Sequence, residues 1–194
     1  MAIDRTKYMT AEEVKTLRTY VEGWYLLDLR HGRVTGVNAW MVVDLALATG
    51  LRVSELAAIQ IEDIDFKRCF IKVKRRKRKK KVVDTLAMNP DVIKHLKEYI
   101  EDRTKGPLFI GERGSLTRYG LQQIWKSCIN RAGLPKELSI HCARHTMAVH
   151  LLKKTGNLRQ VQKQLGHASP ATTANMYADI SFEDMQNGVT DLYQ

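Results

Sequence analysis

With only three cysteines, four prolines and no apolar run long enough to span a bilayer, this 194-residue chain has few architectures open to it. Cys69, Cys128 and Cys142 are odd in number and widely spaced, with no CxxC pair. That excludes a disulfide framework and a cysteine-built metal site, and it fits a reducing compartment, the cytoplasm. The most apolar stretch, WMVVDLALATGL, is short and interrupted by Asp44, so no membrane partner is expected. The opening MAIDRTKYM has no apolar segment of signal-peptide type. Acid is also missing from one place: residues 72–81 hold nine basic side chains and no acidic ones, with the eight from Lys74 to Lys81 consecutive. This segment carries most of the net charge of +11, leaving +2 for the rest of the chain. An excess that local points to a polyanionic partner meeting one patch of the surface.

The remaining composition is that of a globular protein, 44% hydrophobic and 27% charged, and the length suffices for one domain with a real core. The pattern predicts mostly helices. TAEE at 10–13 is a capping box opening a helix to about Gly23, with Val14, Leu17 and Val21 on one face. A looser stretch, LRHGRVTG, leads to a helix over Asn38–Thr49 that Gly50 ends. Ser54 is the expected cap of a short helix, ELAAIQ, and Arg52 sits in the corner before it. The β-branched runs 69–73 and 81–86 read as two strands of a hairpin around the basic block. Further helices are expected in NPDVIKHLKEYIEDR, SLTRYGLQQIWKSCINRAG, SIHCARHTMAVHLLKKTG, NLRQVQKQLGH and SPATTANMYADI, and a last one from Ser181. The expected fold is therefore mainly α with a small antiparallel β-sheet, a single domain over 1–194.

Taken singly, the candidate site residues have plain explanations. His141 and Arg144, three apart at a helix start, fit a solvated face as well as an anion site. His167 after a helix-ending glycine fits the negative end of the helix dipole. Tyr177 fits helix packing, and Arg52 a surface ion pair. Their order is more specific. TGLRVSEL at 49–56, a basic hairpin, HCARH at 141–145, LGH at 165–167 and a tyrosine at 177 follow one another over nearly the whole chain. This arrangement resembles the tyrosine recombinase (phage integrase) family, whose pattern is TGLR-x-SEL, a hairpin lysine, H-x-L-R-H, L-G-H and a tyrosine about ten residues on. Thr172–Thr173 also resembles the family, whereas Ala143 stands where its leucine is usual and touches helix packing only.

The resemblance implies a site-specific DNA recombinase that cuts and rejoins strands through a 3′-phosphotyrosyl intermediate, without metal, ATP or other cofactor. In that chemistry Arg52 and Arg144 present permanently charged forks to the non-bridging phosphate oxygens. His141 and His167 donate hydrogen bonds or carry protons, and Tyr177 is the nucleophile. The family's hairpin lysine protonates the 5′ leaving oxygen. One common hairpin length places Arg76 there and one a residue longer places Lys77; a guanidinium is a poor proton donor, which favours Lys77, with Lys74 in reserve. Lys72, Lys74, Arg75, Arg76, Arg78 and Lys79 then hold DNA phosphates, and Thr117 and Arg118 are candidate contacts from a DNA-facing helix, although Thr117 equally suits a helix cap. Glu55 is read as a structural partner for a nearby arginine or N–H.

The implied partners are double-stranded DNA and further copies of the chain, a dimer or tetramer on DNA. The tail 178–194 would dock on a neighbour through Phe182, Met185 and Leu192, or fold back in cis. Accessory DNA-bending proteins are compatible with this chemistry, and the location is cytoplasmic, at the nucleoid. The separate helical DNA-binding domain that precedes the catalytic one in most family members is not expected here. Two other readings share features of the sequence: a type IB topoisomerase-like relaxing enzyme, and a DNA-binding remnant that no longer cleaves.

Overall fold

The computed structural model describes residues 8–77 and 80–166. Its centre is a helix without a polar face. In α2 (Val34–Thr49) twelve of sixteen residues are buried, and a helix apolar on all sides can only sit inside the molecule. Helices α1 (Ala11–Arg30), α4 (Pro90–Ile100), α5 (Arg118–Arg131) and α6 (Ile140–Thr155) pack around it.

The capping box forms as the sequence predicts: Glu13 N–H donates to Thr10 Oγ1 (3.1 Å) and Thr10 N–H to Glu13 Oε2 (2.7 Å). The helix it opens does not stop near Gly23 but continues to Arg30, and α2 starts at Val34, not Asn38. The expected loose stretch over 29–36 is thus a corner at 31–33. Gly23 has open space around it and costs the helix only about 1 kcal/mol. Packing outweighs that cost: Tyr25 stacks on Trp40 with ring centroids 4.4 Å apart, and buried Asp28 accepts the Gly36 N–H at 2.7 Å. Gly36 is required at this crossing, because a Cβ there would lie 2.7 Å from the Trp24 carbonyl oxygen.

Gly50 ends α2 in the left-handed conformation at φ +63°, and α3 (Val53–Ala57) follows at once. A single 3-10 turn, Ile61–Asp63, leads to an antiparallel sheet of order β1-β2-β3, with β1 at Ile64–Asp65, β2 at Phe70–Lys77 and β3 at Lys80–Ala87. β2 runs four residues past the expected 69–73, whereas β3 matches the expected 81–86 to one residue at each end. The register runs from Phe70↔Ala87 through Val73↔Asp84 to Lys77↔Lys80. Much of the basic block is therefore strand, and the side chains of Lys72, Val73, Lys74 and Arg75 fall on alternate faces of the sheet. Before α5 a small hairpin forms, β4 (Ile110–Gly111) with β5 (Gly114–Ser115).

Helix α7 (Leu158–Leu165) completes the described fold, capped by Asn157 and ended by Gly166 as expected. It packs on α6 through a separate small cluster of Met147, Ala148, Val161 and Leu165. The architecture is the mainly α fold with small antiparallel sheets that the sequence predicts. No helix among the described residues is long and apolar enough to cross a membrane. The helices expected over 169–180 and from Ser181, and the tail with Phe182, Met185 and Leu192, lie outside the described residues.

Candidate active site

Two chain corners and one strand bring the arginines together. Arg52 precedes α3 in an extended conformation (φ −67°, ψ 149°), so its side chain leaves the tight corner after Gly50 toward solvent. The cap of α3 is not Ser54. The helix begins at Val53, which puts Ser54 inside the first turn and leaves capping to Glu55. Arg52 N–H donates to Glu55 Oε2 and Arg52 Nη1 to Glu55 Oε1, both at 2.9 Å. Glu55 is itself buried, the structural partner expected from the sequence.

Arg144 and His141 start the same helix, three residues apart, but differ in exposure. His141 is exposed and Arg144 is buried, because Arg144 turns inward across two loops. Its Nη1 donates to Gly50 O and its Nη2 to Leu165 O, each at 2.8 Å. One bond thus reaches the corner that carries Arg52, and the other the C-terminal end of α7, one residue before Gly166. Adding a Cβ to Gly50 would place it 2.3 Å from Met147 Cε, so glycine permits this close approach of α6 as well as the turn. On the outer side His141, Arg52 and Arg118 line one open depression. Thr117 caps α5, accepting the Gly120 N–H at 3.2 Å, and takes the cap role that the sequence left open.

On the hairpin, the alternation of β2 divides the basic residues. Ile71, Val73 and Arg75 are buried, whereas Lys72 and Lys74 are exposed. Lys74 Nζ lies 3.3 Å from Asp63 Oδ1. Arg75, expected among the phosphate anchors, is instead 2% exposed. Its Nη2 donates to Gln164 O at 3.0 Å, and its Nε lies 3.5 Å from Asp84 Oδ2 and 3.9 Å from Glu55 Oε1. Burial pushes its pKa down, Glu55 and Asp84 oppose that, and Arg52 adds to it. Sequence reasoning missed the inward aim of Arg75 and its partner Asp84. The two-residue period from Ile71 and Val73 would have shown it. Arg76 and Lys77 lie in β2, paired with Lys81 and Lys80. Arg78, Lys79, His167, Thr172, Thr173 and Tyr177 lie outside the described residues.

Comparison with known proteins matches residues 7–184 to the model of the Phage integrase family. Among curated relatives, the tyrosine recombinase XerD of Staphylococcus saprophyticus is 33% identical over 158 residues, covering 77% of this chain and 52% of that protein. The XerD of Oceanobacillus iheyensis is 31% identical over 180 residues, covering 87% of this chain and 58% of the relative. The chain thus spans about half the length of the curated relatives it matches. Among solved structures, XerA recombinase superposes with a TM-score of 0.74 at 26% identity, covering 96% of this chain and 64% of that one. XerH site-specific recombinase bound to its difH substrate shares the fold at a TM-score of 0.72 and 23% identity, covering 97% of this chain and 55% of that one.

Proposed function

The chain belongs to the phage integrase family, and from that premise we propose that it is a site-specific DNA recombinase, cutting and rejoining strands through a 3′-phosphotyrosyl intermediate. The observation that carries this reading is the convergence of Arg144, Arg52 and His141. Arg144 is fixed to Gly50 O, two residues from Arg52, and Arg52 shares an open depression with His141. A phosphodiester seated in that depression meets the Arg52 guanidinium, which Glu55 already holds in place, so little reorganisation of that group is needed as charge builds on the phosphorane.

In the proposed reaction the Tyr177 oxygen attacks the scissile phosphorus, the bond to the 5′ oxygen breaks, and a general acid protonates that oxygen. Arg52 and Arg144 stabilise the non-bridging oxygens, with His141 and His167 donating hydrogen bonds. Lys77 is taken as the acid, because a guanidinium at position 76 is a poor proton donor and Lys74 is held by Asp63. The exposed residues Lys72 and Lys74, with Arg118 beside the depression, grip the duplex. Copies of the chain assemble as a dimer or tetramer on the DNA, each lending its tail 178–194 to a neighbour, in the compartment that holds the genome.

The test is covalent capture. Nicked duplexes of randomised sequence, incubated with the protein, should yield an adduct that survives a denaturing gel, and sequencing the captured DNA should return one motif. Tyr177→Phe should abolish the adduct. Absence of any adduct would leave a DNA-binding protein without cleavage, and capture with no sequence preference plus relaxation of supercoils would favour the topoisomerase-like reading.

A further inference from the structure

One strongly basic side chain in the hairpin does not face outward. Arg75 is 2% exposed, and burying a guanidinium costs several kcal/mol unless its partners repay the lost hydration. The partners it has are modest. It makes one hydrogen bond to a backbone carbonyl, and Asp84 and Glu55 stand at 3.5 and 3.9 Å from Nε. Among the described residues Nε and Nη1 find no hydrogen-bond partner. Replacing such a group with an apolar side chain of similar volume is often neutral for stability or better. Stability therefore does not account for an arginine here.

Its position does. The last carbonyls of a helix have no partner within the helix. At the end of α7 the carbonyl of Gln164 accepts from Arg75 Nη2 and that of Leu165 from Arg144 Nη2. Two guanidinium groups from different elements thus close one helix end, where the dipole is negative. The next residue, Gly166, is in the left-handed conformation at φ +64° and lies directly against the guanidinium. A Cβ there would be 1.4 Å from Arg75 Nη1 and 2.8 Å from Asp84 Oδ2. Residue 167 follows at once. On the other side, Glu55 Oε1 faces both Arg75 Nε and Arg52 Nη1, so Asp84, Arg75, Glu55 and Arg52 form one chain of charges from hairpin to corner.

We infer that Arg75 is a positioning residue, which from the inner face of β2 fixes the α7 terminus just before His167 and so couples the DNA-gripping hairpin to that histidine. The inference rests on the recombinase reading above. The bond to Gln164 O is made from the same strand whose outer face carries Lys72 and Lys74, so the grip on a phosphate-bearing strand and the hold on the α7 terminus share one element. A displacement of about 1 Å at a reacting centre costs on the order of 100-fold in rate.

The experiment measures adduct formation on the captured nicked duplex with Arg75→Met, which keeps the side-chain length, and with Arg75→Lys. At saturating DNA, Arg75→Met should slow adduct formation about 100-fold. Its DNA affinity and salt slope should stay within about twofold of the parent, since a buried side chain contacts no phosphate. Arg75→Lys should recover about tenfold, because an ammonium can still donate to one carbonyl. In a His167→Ala background, Arg75→Met should change the rate by no more than about twofold, the group it positions being gone. If Arg75→Met fails to fold by circular dichroism, Asp84→Asn, which weakens the same hold on α7, should slow the rate in the same direction and lose that effect in His167→Ala. An Arg75→Met protein with a normal saturated rate and a salt slope lower by about one would make Arg75 a phosphate anchor and overturn the inference. So would an equal reduction with and without His167. Failure of the unmodified protein to form any adduct would instead remove the recombinase reading on which it stands.

Discussion

Gly166 meets two separate demands, a left-handed backbone and contact with a buried guanidinium, and substitution can tell them apart. Gly133 has the same sign of φ (+68°) with open space around it, so Gly133→Ala should cost about 1 kcal/mol for the conformation alone. Gly166→Ala should cost at least about 1 kcal/mol more, because Arg75 must move, and urea unfolding of the two variants measures the difference. Thiol chemistry gives a second check on residue environments. Burial pushes the Cys128 thiol up to about 12 and raises that of Cys142 as well, so little thiolate exists at neutral pH. Iodoacetamide at pH 7.5 should leave both unmodified in the native protein and label them after unfolding, as mass spectrometry would show. The motifs identified Arg52, His141 and Arg144 as candidates from residue type and order. They did not reveal that Arg144 is buried, because spacing along a helix says nothing of the loop carbonyls, Gly50 O and Leu165 O, that come from distant sequence.

At the scale of elements, the hairpin is where sequence and structure are most instructively apart. A run of basic residues reads as one block of charge, but a strand sorts it by parity, and only every second side chain shares a face. Lys72→Ala and Lys74→Ala should each lower the slope of log affinity against log salt by about 0.9 for each phosphate no longer neutralised, with little effect on the rate at saturation. Fluorescence anisotropy across a salt series would report it. Removing the Lys74–Asp63 pair should barely alter stability, since exposed ion pairs contribute about 0–1 kcal/mol. The expected cap at Ser54 gave way to Glu55, but helix caps were legible from local chemistry at Thr10 and Asn157. The continuation of α1 past Gly23 was not, because it is decided by Tyr25, Asp28 and their partners on α2 rather than by propensity.

Across the whole molecule, stability is unevenly distributed. The core around α2 is continuous, whereas α7 is held by a four-residue cluster and the bonds from Arg75 and Arg144. Native-state hydrogen exchange should therefore find α7 amides opening at a lower free energy than those of α2. DNA binding should narrow that difference by slowing α7 exchange. The fold class was legible from helix caps and terminal glycines, as at Thr10, Gly50, Asn157 and Gly166, even though α2 has no polar face. The joining of β2 to α7 was not, since it depends on a contact across 89 residues of sequence. The two faces of the hairpin also bear on how such a protein can change over generations. On the proposed function, outer-face substitutions would adjust how tightly DNA is held and inner-face ones would alter the reaction, so selection could tune residence on a genome without disturbing strand exchange. A lineage meeting a new salt environment or a new target could thus adapt its grip one lysine at a time.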